Sequence, residues 1–155
     1  MAFLKVKGSE VVVVLLLETT AFSDLMREHK QLIALLEKLS DEDIVVTCTI
    51  VRGEILYGIA RLPEGWRKRK LEEKASKIFE AIPCLAVPEE AADYYAATKL
   101  AQQQKGLALD ENDLWIASTA LALKAVLLTR DTDFKQIEGL HVMDWTTEEN
   151  SASEK

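Results

Sequence analysis

The sequence is short of the residues that staple, chelate or cross a membrane. Its 155 residues include only 2 cysteines and 2 histidines. Cys48 and Cys84 lie far apart without metal-type spacing, which argues against a disulfide framework or a zinc site. They read as reduced thiols of a cytosolic protein. His29 and His141 stand in unrelated contexts, so a histidine-based metal or nucleophile site is not expected. No apolar run approaches the ~20 residues that cross a bilayer. The longest, Val11 to Leu17, is strand-sized. The opening "MAFLKVKGSE" lacks the basic, apolar and small-residue order of a secretion signal. Positive charge is scarce too. The net charge of -7 argues against a non-specific nucleic-acid coat. It leaves open an enzyme whose acidic cluster binds cations. What is present is ordinary core material: 48% hydrophobic residues, enough for one domain without staples.

Strand and helix signals alternate along the chain. "VVVVLLLE", from Val11, is apolar, β-branched and uninterrupted, as in a strand buried on both faces of a parallel sheet. "TTAFSDLMREHKQLIALLEKLS" has helical spacing and predicts two helices or one broken helix. "IVVT", Ile44–Thr47, predicts a second strand. "CTIVRGEILYGIARL" predicts a helix ended by Pro63 and Gly65. "WRKRKLEEKASKIFEAI" predicts an amphipathic helix with Leu71, Ala75, Ile78 and Phe79 facing inward. "PCLAV" predicts a third strand. The next helix is bracketed by Pro88 and Gly106. A long apolar helix from Leu114 to Ala125, with Trp115 in the core, leads to the strand "AVLLT". "LHVMDW" predicts an edge strand, and "TTEENSASEK" a disordered tail. Together these predict one α/β domain around a mainly parallel sheet. Its expected bounds are 11–145, between an extension over 1–10 and a tail over 146–155.

Ligands of such sheets bind beyond the carboxyl ends of the strands. Carboxylates stand there: Glu18 after the first strand and Asp131 after "AVLLT". Glu54 lies in the helix after the second strand, with apolar neighbours Ile50, Val51 and Tyr57 one turn away. Asp113 opens the long apolar helix, where the partial positive charge suits a carboxylate. Each has a simpler explanation. Asp113 or Asp110 serves as a helix cap. Asp131 serves as an Asx-turn residue. Glu18 serves as a cap or a lysine partner, and Glu54 as half of a buried pair. Four acids converging on one sheet edge are harder to explain singly. Clustered carboxylates repel unless a hard cation sits among them. Magnesium and manganese favour such all-oxygen sites.

The segments "LLLETTAFSDL", "TIVRGEILYGIARLPEG", "ENDLWIASTALALKAVLLTRDTDF" and "LHVMDW" resemble the successive motifs of the PIN domain, in its VapC-type toxin branch. The resemblance spans Val11 to Trp145 and implies a three-layer α/β/α fold with a twisted, mainly parallel sheet. It implies a Mg2+- or Mn2+-dependent ribonuclease, usually a homodimer, neutralised by an antitoxin protein. By motif position the acidic quartet falls on Glu18, Glu54, Asp113 and Asp131. Glu18, Asp113 and Asp131 would hold the metal, and Glu54 would orient the attacking water. Thr129 matches the hydroxyl residue before the last acid, and Asp133 its acidic neighbour. The first motif departs from the family's Asp-Thr-Asn: it reads Glu18-Thr19-Thr20. The longer acid, and a hydroxyl at Thr20 in place of an amide, make a catalytically weakened module that binds RNA or an antitoxin-like partner the alternative reading.

The positive charge that exists is concentrated. Arg61 to Lys77 holds 7 of the 19 lysines and arginines. Arg61, Trp66, Arg67, Lys68 and Arg69 are candidates for contact with an RNA backbone and stacked bases. A solvated helix face, paired with Glu72 and Glu73, accounts equally for the pattern, and Trp66 suits a dimer contact as well.

Overall fold

The computed structural model describes residues 13–147. The expected extension over 1–10 lies outside the described residues, as do Val11, Val12 and the tail from residue 148. Five strands form one sheet: β1 (Val14–Leu17), β2 (Ile44–Cys48), β3 (Cys84–Leu85), β4 (Val126–Leu128) and β5 (Val142–Met143). The spatial order is β3-β2-β1-β4-β5, and every pairing is parallel. All five carboxyl ends therefore open on one edge.

β1 is central, and Leu15, Leu16 and Leu17 are wholly buried. Burying such a side chain contributes about 1.5–3 kcal/mol. This is why the segment has no polar alternation. The strand predicted from "PCLAV" shrinks to Cys84–Leu85, an edge pair. Both cysteines are free thiols, and Cys48 is buried.

The helices are α1 (Thr19–Met26), α2 (Lys30–Glu37), α3 (Thr49–Ala60), α4 (Trp66–Ala81), α5 (Ala91–Gln104) and α6 (Glu111–Leu123). The break between α1 and α2 falls at Glu28, whose φ of 57° is left-handed. α1 packs on α3 and α4, and α5 packs on α6. In α4 only Ala75 is fully buried, with Leu71, Ile78 and Phe79 half-buried beside it. α6 is buried over most of its length, from Leu114 to Ala120. Its polar members satisfy themselves within the helix: Ser118 Oγ donates to the Leu114 carbonyl at 2.6 Å, and Thr119 Oγ1 to Trp115 at 2.7 Å. Trp115 is not core. It is half-buried and stacked on Tyr95, ring centroids 4.1 Å apart, because its side of α6 faces α5 rather than the sheet.

α6 stops earlier than its apolar pattern suggests. Lys124 takes φ 54°, and the Ala125 N–H reaches back to the Ala120 carbonyl at 2.9 Å. That left-handed residue turns the chain straight into β4, a geometry glycine adopts without strain. Replacing Lys124 by glycine should therefore raise unfolding stability by about 0.5–1 kcal/mol in urea titrations. Leu16→Ala, which empties the middle of the sheet, should lower it by about 2–5 kcal/mol.

Candidate metal and nuclease site

The four predicted acids lie around the carboxyl edge of the sheet. Glu18 directly follows β1, and its N–H still bonds the Leu128 carbonyl of β4 at 3.0 Å. It is almost fully buried. It also caps α1: Oε1 accepts from the Thr20 N–H at 3.0 Å. The same oxygen accepts from the Thr20 hydroxyl at 2.5 Å and the Thr129 hydroxyl at 2.6 Å. Burial pushes the Glu18 carboxyl upward, and the two threonines pull against that without cancelling it. Glu54 projects from α3 beside its buried stripe of Val51, Ile55 and Ile59. Thr19 on α1 donates its hydroxyl to Glu54 Oε1 at 2.6 Å, which ties the two helices at the site. Tyr57, expected with Glu54 on an apolar stripe, is exposed.

Asp113 lies in the first turn of α6. The cap of that helix is Asp110, which accepts from the Asn112 N–H at 3.2 Å. Asp113 is thus spared the capping task. Burial raises its carboxyl to about 7, helped by the negative charges of Glu18, Glu54, Asp131 and Asp110 in that order. The rest of the predicted quartet is therefore within electrostatic reach of Asp113. Among the described residues, no three histidine, cysteine or acidic side chains stand in ready chelating geometry. The acids meet through their fields, while Glu18 turns one oxygen onto hydroxyls.

Asp131 does what an Asx-turn residue does. Its carboxylate accepts from the Asp133 N–H at 3.0 Å and starts the short 3-10 segment Thr132–Gln136. Its own N–H donates to Thr129 Oγ1 at 3.0 Å. Asp133 is exposed. Capping and clustering thus coexist at Glu18 and at Asp131. Buried carboxyls that raise one another, as burial and the neighbouring charges raise Asp113, are the kind of cluster a hard divalent cation relieves.

The basic segment runs from Arg61, the C-cap of α3, through most of α4. Trp66 is 70% exposed, with Lys70 Nζ 5.3 Å from its ring centre. Arg61 lies 6.0 Å from the Tyr57 ring. Arg67 and Arg69 are exposed. Lys68 is drawn inward: it bonds Glu64 at 2.7 Å and the Ala60 carbonyl at 3.2 Å, closing the end of α3. Three further residues shape the acidic site without having been singled out from sequence: Thr19, Asp24 and Arg130. Thr19 and its partner are 35 positions apart, and Asp24 and Arg130 are 106 apart, so no local spacing relates them. The only sequence signal was an acid, Asp24, amid the apolar residues of α1.

The native fold holds the Asp113 proton more tightly than the unfolded chain does. Its contribution to stability is therefore full below about pH 4 and is lost as pH rises towards 7. Asp113→Asn cannot ionise. Without metal it should unfold about 2–4 °C higher than the parent at pH 8, the effect of roughly 1 kcal/mol after solvent screening. The gap should close at pH 4, and Mn2+ should stabilise only the parent.

Residues 15–140 match the PIN domain family. The chain is 32% identical over 114 residues to Ribonuclease VapC2 of Rickettsia felis, covering 71% of this chain and 81% of the relative. It is 28% identical over 134 residues to Ribonuclease VapC1 of Haemophilus influenzae strain R2866, covering 84% and 97%. Among solved structures it resembles VapBC2 from Rickettsia felis bound to a DNA fragment from their promoter, with TM-score 0.79 and 26% identity over 86% of this chain and 99% of that one. VapBC-1 from nontypeable Haemophilus influenzae is similar at TM-score 0.78, also 26% identical, over 86% and 99%. With its central parallel sheet, its acids at the carboxyl edge and these matches along most of its length, the chain belongs to the PIN domain family.

Proposed function

We propose that the protein is a divalent-metal-dependent endoribonuclease that hydrolyses RNA phosphodiester bonds, the toxin of a toxin–antitoxin pair. One observation carries the reading: Glu18, Glu54, Asp113 and Asp131 gather around the carboxyl edge of the parallel sheet, where burial and the charges of the other three push Asp113 up to about 7. The names of its ribonuclease relatives support it. In this reading Glu18, Asp113 and Asp131 hold Mg2+ or Mn2+, for which an all-oxygen set is suited. The ion, when bound, supplies Lewis-acid charge to the phosphodiester and lowers the pKa of water.

The protein's own residues do the placing. Thr20 and Thr129 fix one oxygen of Glu18, so its longer side chain has one defined reach. Thr19 fixes one oxygen of Glu54, from which the carboxylate aligns the attacking water. The Asp133 N–H fixes Asp131, and the Asp133 carboxylate adds negative charge at the rim. Arg61, Arg67 and Arg69 follow the RNA backbone, and Trp66 offers a face for a base. Lys68, engaged with Glu64, contributes mainly by setting the start of α4.

Exposed apolar side chains remain for protein partners. Leu56 and Tyr57 on α3 and Trp66 at the start of α4 are exposed in one region, and Tyr94 and Leu100 on α5 are exposed in another. They suit an antitoxin and a second copy of the chain. The VapBC neighbours support the antitoxin. Among the described residues no helix is long and apolar enough to cross a membrane. Free thiols and an RNA substrate fit action in the cytoplasm.

The purified chain should cleave RNA with Mg2+ or Mn2+ and stop when EDTA is added. Asp113→Asn should lower kcat roughly 100-fold or more, the scale of losing a charge-stabilising group. Cleavage surviving in that variant would point to a contaminant. Glu18→Asp should also be slower than the parent, about 10–100-fold, because the shorter acid withdraws from both threonines. An inactive parent that Glu18→Asp awakens would favour the weakened binding module instead.

A further inference from the structure

We propose that Asp24 and Arg130, neither of them in the acidic quartet, form a latch that positions the loop bearing Thr129 and Asp131. The inference rests on the reading of Glu18 and Asp131 as cation ligands. Asp24 is only 3% exposed, on the same face of α1 as Thr20 one turn earlier. Its carboxylate accepts from Arg130 Nε at 3.0 Å and Nη2 at 3.4 Å. Two-point contact fixes the plane of a guanidinium, which a single contact does not.

Arg130 is held by its backbone as well. Its N–H donates to Thr20 Oγ1 at 3.2 Å. Side chain and main chain of one residue are thus fastened to two successive turns of α1. Both chain neighbours of Arg130 enter the site. Thr129 donates to Glu18 at 2.6 Å, and the Asp131 N–H returns to Thr129 Oγ1 at 3.0 Å. Displacing Arg130 moves the support of one acid and the main chain of another. Asp131, on an exposed turn after a three-residue strand, has few other restraints.

Arg27 provides an internal control. It too bonds Asp24, at 3.1 Å, but its side chain is 69% exposed and it lies on the turn after α1 rather than in the 129–131 loop. An arginine acting only to neutralise Asp24 is replaceable by Arg27. An arginine acting as a latch is not.

The test compares Arg130→Met, Arg130→Lys and Arg27→Met in the full chain. Three readouts serve: amide exchange by NMR without metal, calorimetric titration with Mn2+, and kcat and KM on RNA. For Arg130→Met we expect amide exchange at positions 130 and 131 to quicken about 10-fold. Mn2+ affinity should weaken about 10-fold, and kcat should fall with KM unchanged. Arg130→Lys should recover little, since an ammonium makes no two-point contact, and Arg27→Met should match the parent. Parent-like exchange and Mn2+ affinity in Arg130→Met would overturn the latch alone. Equal losses in Arg27→Met would reduce the pair to charge neutralisation. A loss confined to KM would make Arg130 an RNA-phosphate contact instead. A parent that takes up no Mn2+ overturns the cation reading beneath it.

Discussion

Mutual repulsion of carboxylates at one edge of a parallel sheet is the constraint on which the rest of this structure turns. Parallel strands deliver every carboxyl end to the same side. β1 and β4 lie next to each other, so Glu18 and Asp131 are neighbours by topology. α6 must start at that edge to run back beneath the sheet, and it brings Asp113. The cost appears at Asp113, whose carboxyl is driven to about 7 by burial and, beyond that, by the neighbouring charges. A fold selected for stability alone has no use for that arrangement.

The protein holds the arrangement together with hydroxyls rather than with counter-charges. Thr20 and Thr129 share one oxygen of Glu18, and Thr19 holds Glu54. A hydroxyl orients a carboxylate without neutralising it. A lysine in the same place would satisfy the acid and remove its claim on a cation. The arginines near the site, Arg27 and Arg130, bond Asp24 instead. That division keeps positive charge beside the site and out of its centre.

Much of this was legible in the sequence, for reasons that can be named. The wholly apolar β1 announced a strand buried on both faces, and α6 announced a central helix. Glu18, Asp113 and Asp131 drew notice because each sits where an apolar run meets a turn, and Glu54 because it projects from a mostly apolar stripe of a helix. What stayed hidden was relational. Nothing in "DENDLW" says that Asp110 rather than Asp113 caps α6; the hydrogen bond to Asn112 settles it. Trp115 looked like core because burial of a helix was inferred from composition, which is blind to the side facing α5. The third strand was overextended because an edge strand needs only two residues to complete its ladder. Asp24 and Arg130 escaped because a long-range ion pair has no spacing to detect.

The central position of β1 has a consequence for how the protein is made. Its first partner, β2, follows within about thirty residues, but its second, β4, comes more than a hundred residues later. Glu18 meets Thr129 only after β4 docks. Such distant closure is slow compared with local helix formation. A growing chain on the ribosome carries Glu18 long before it carries Asp131. The acidic edge therefore stays incomplete until the chain has been made through Asp131 and β4 has docked beside β1.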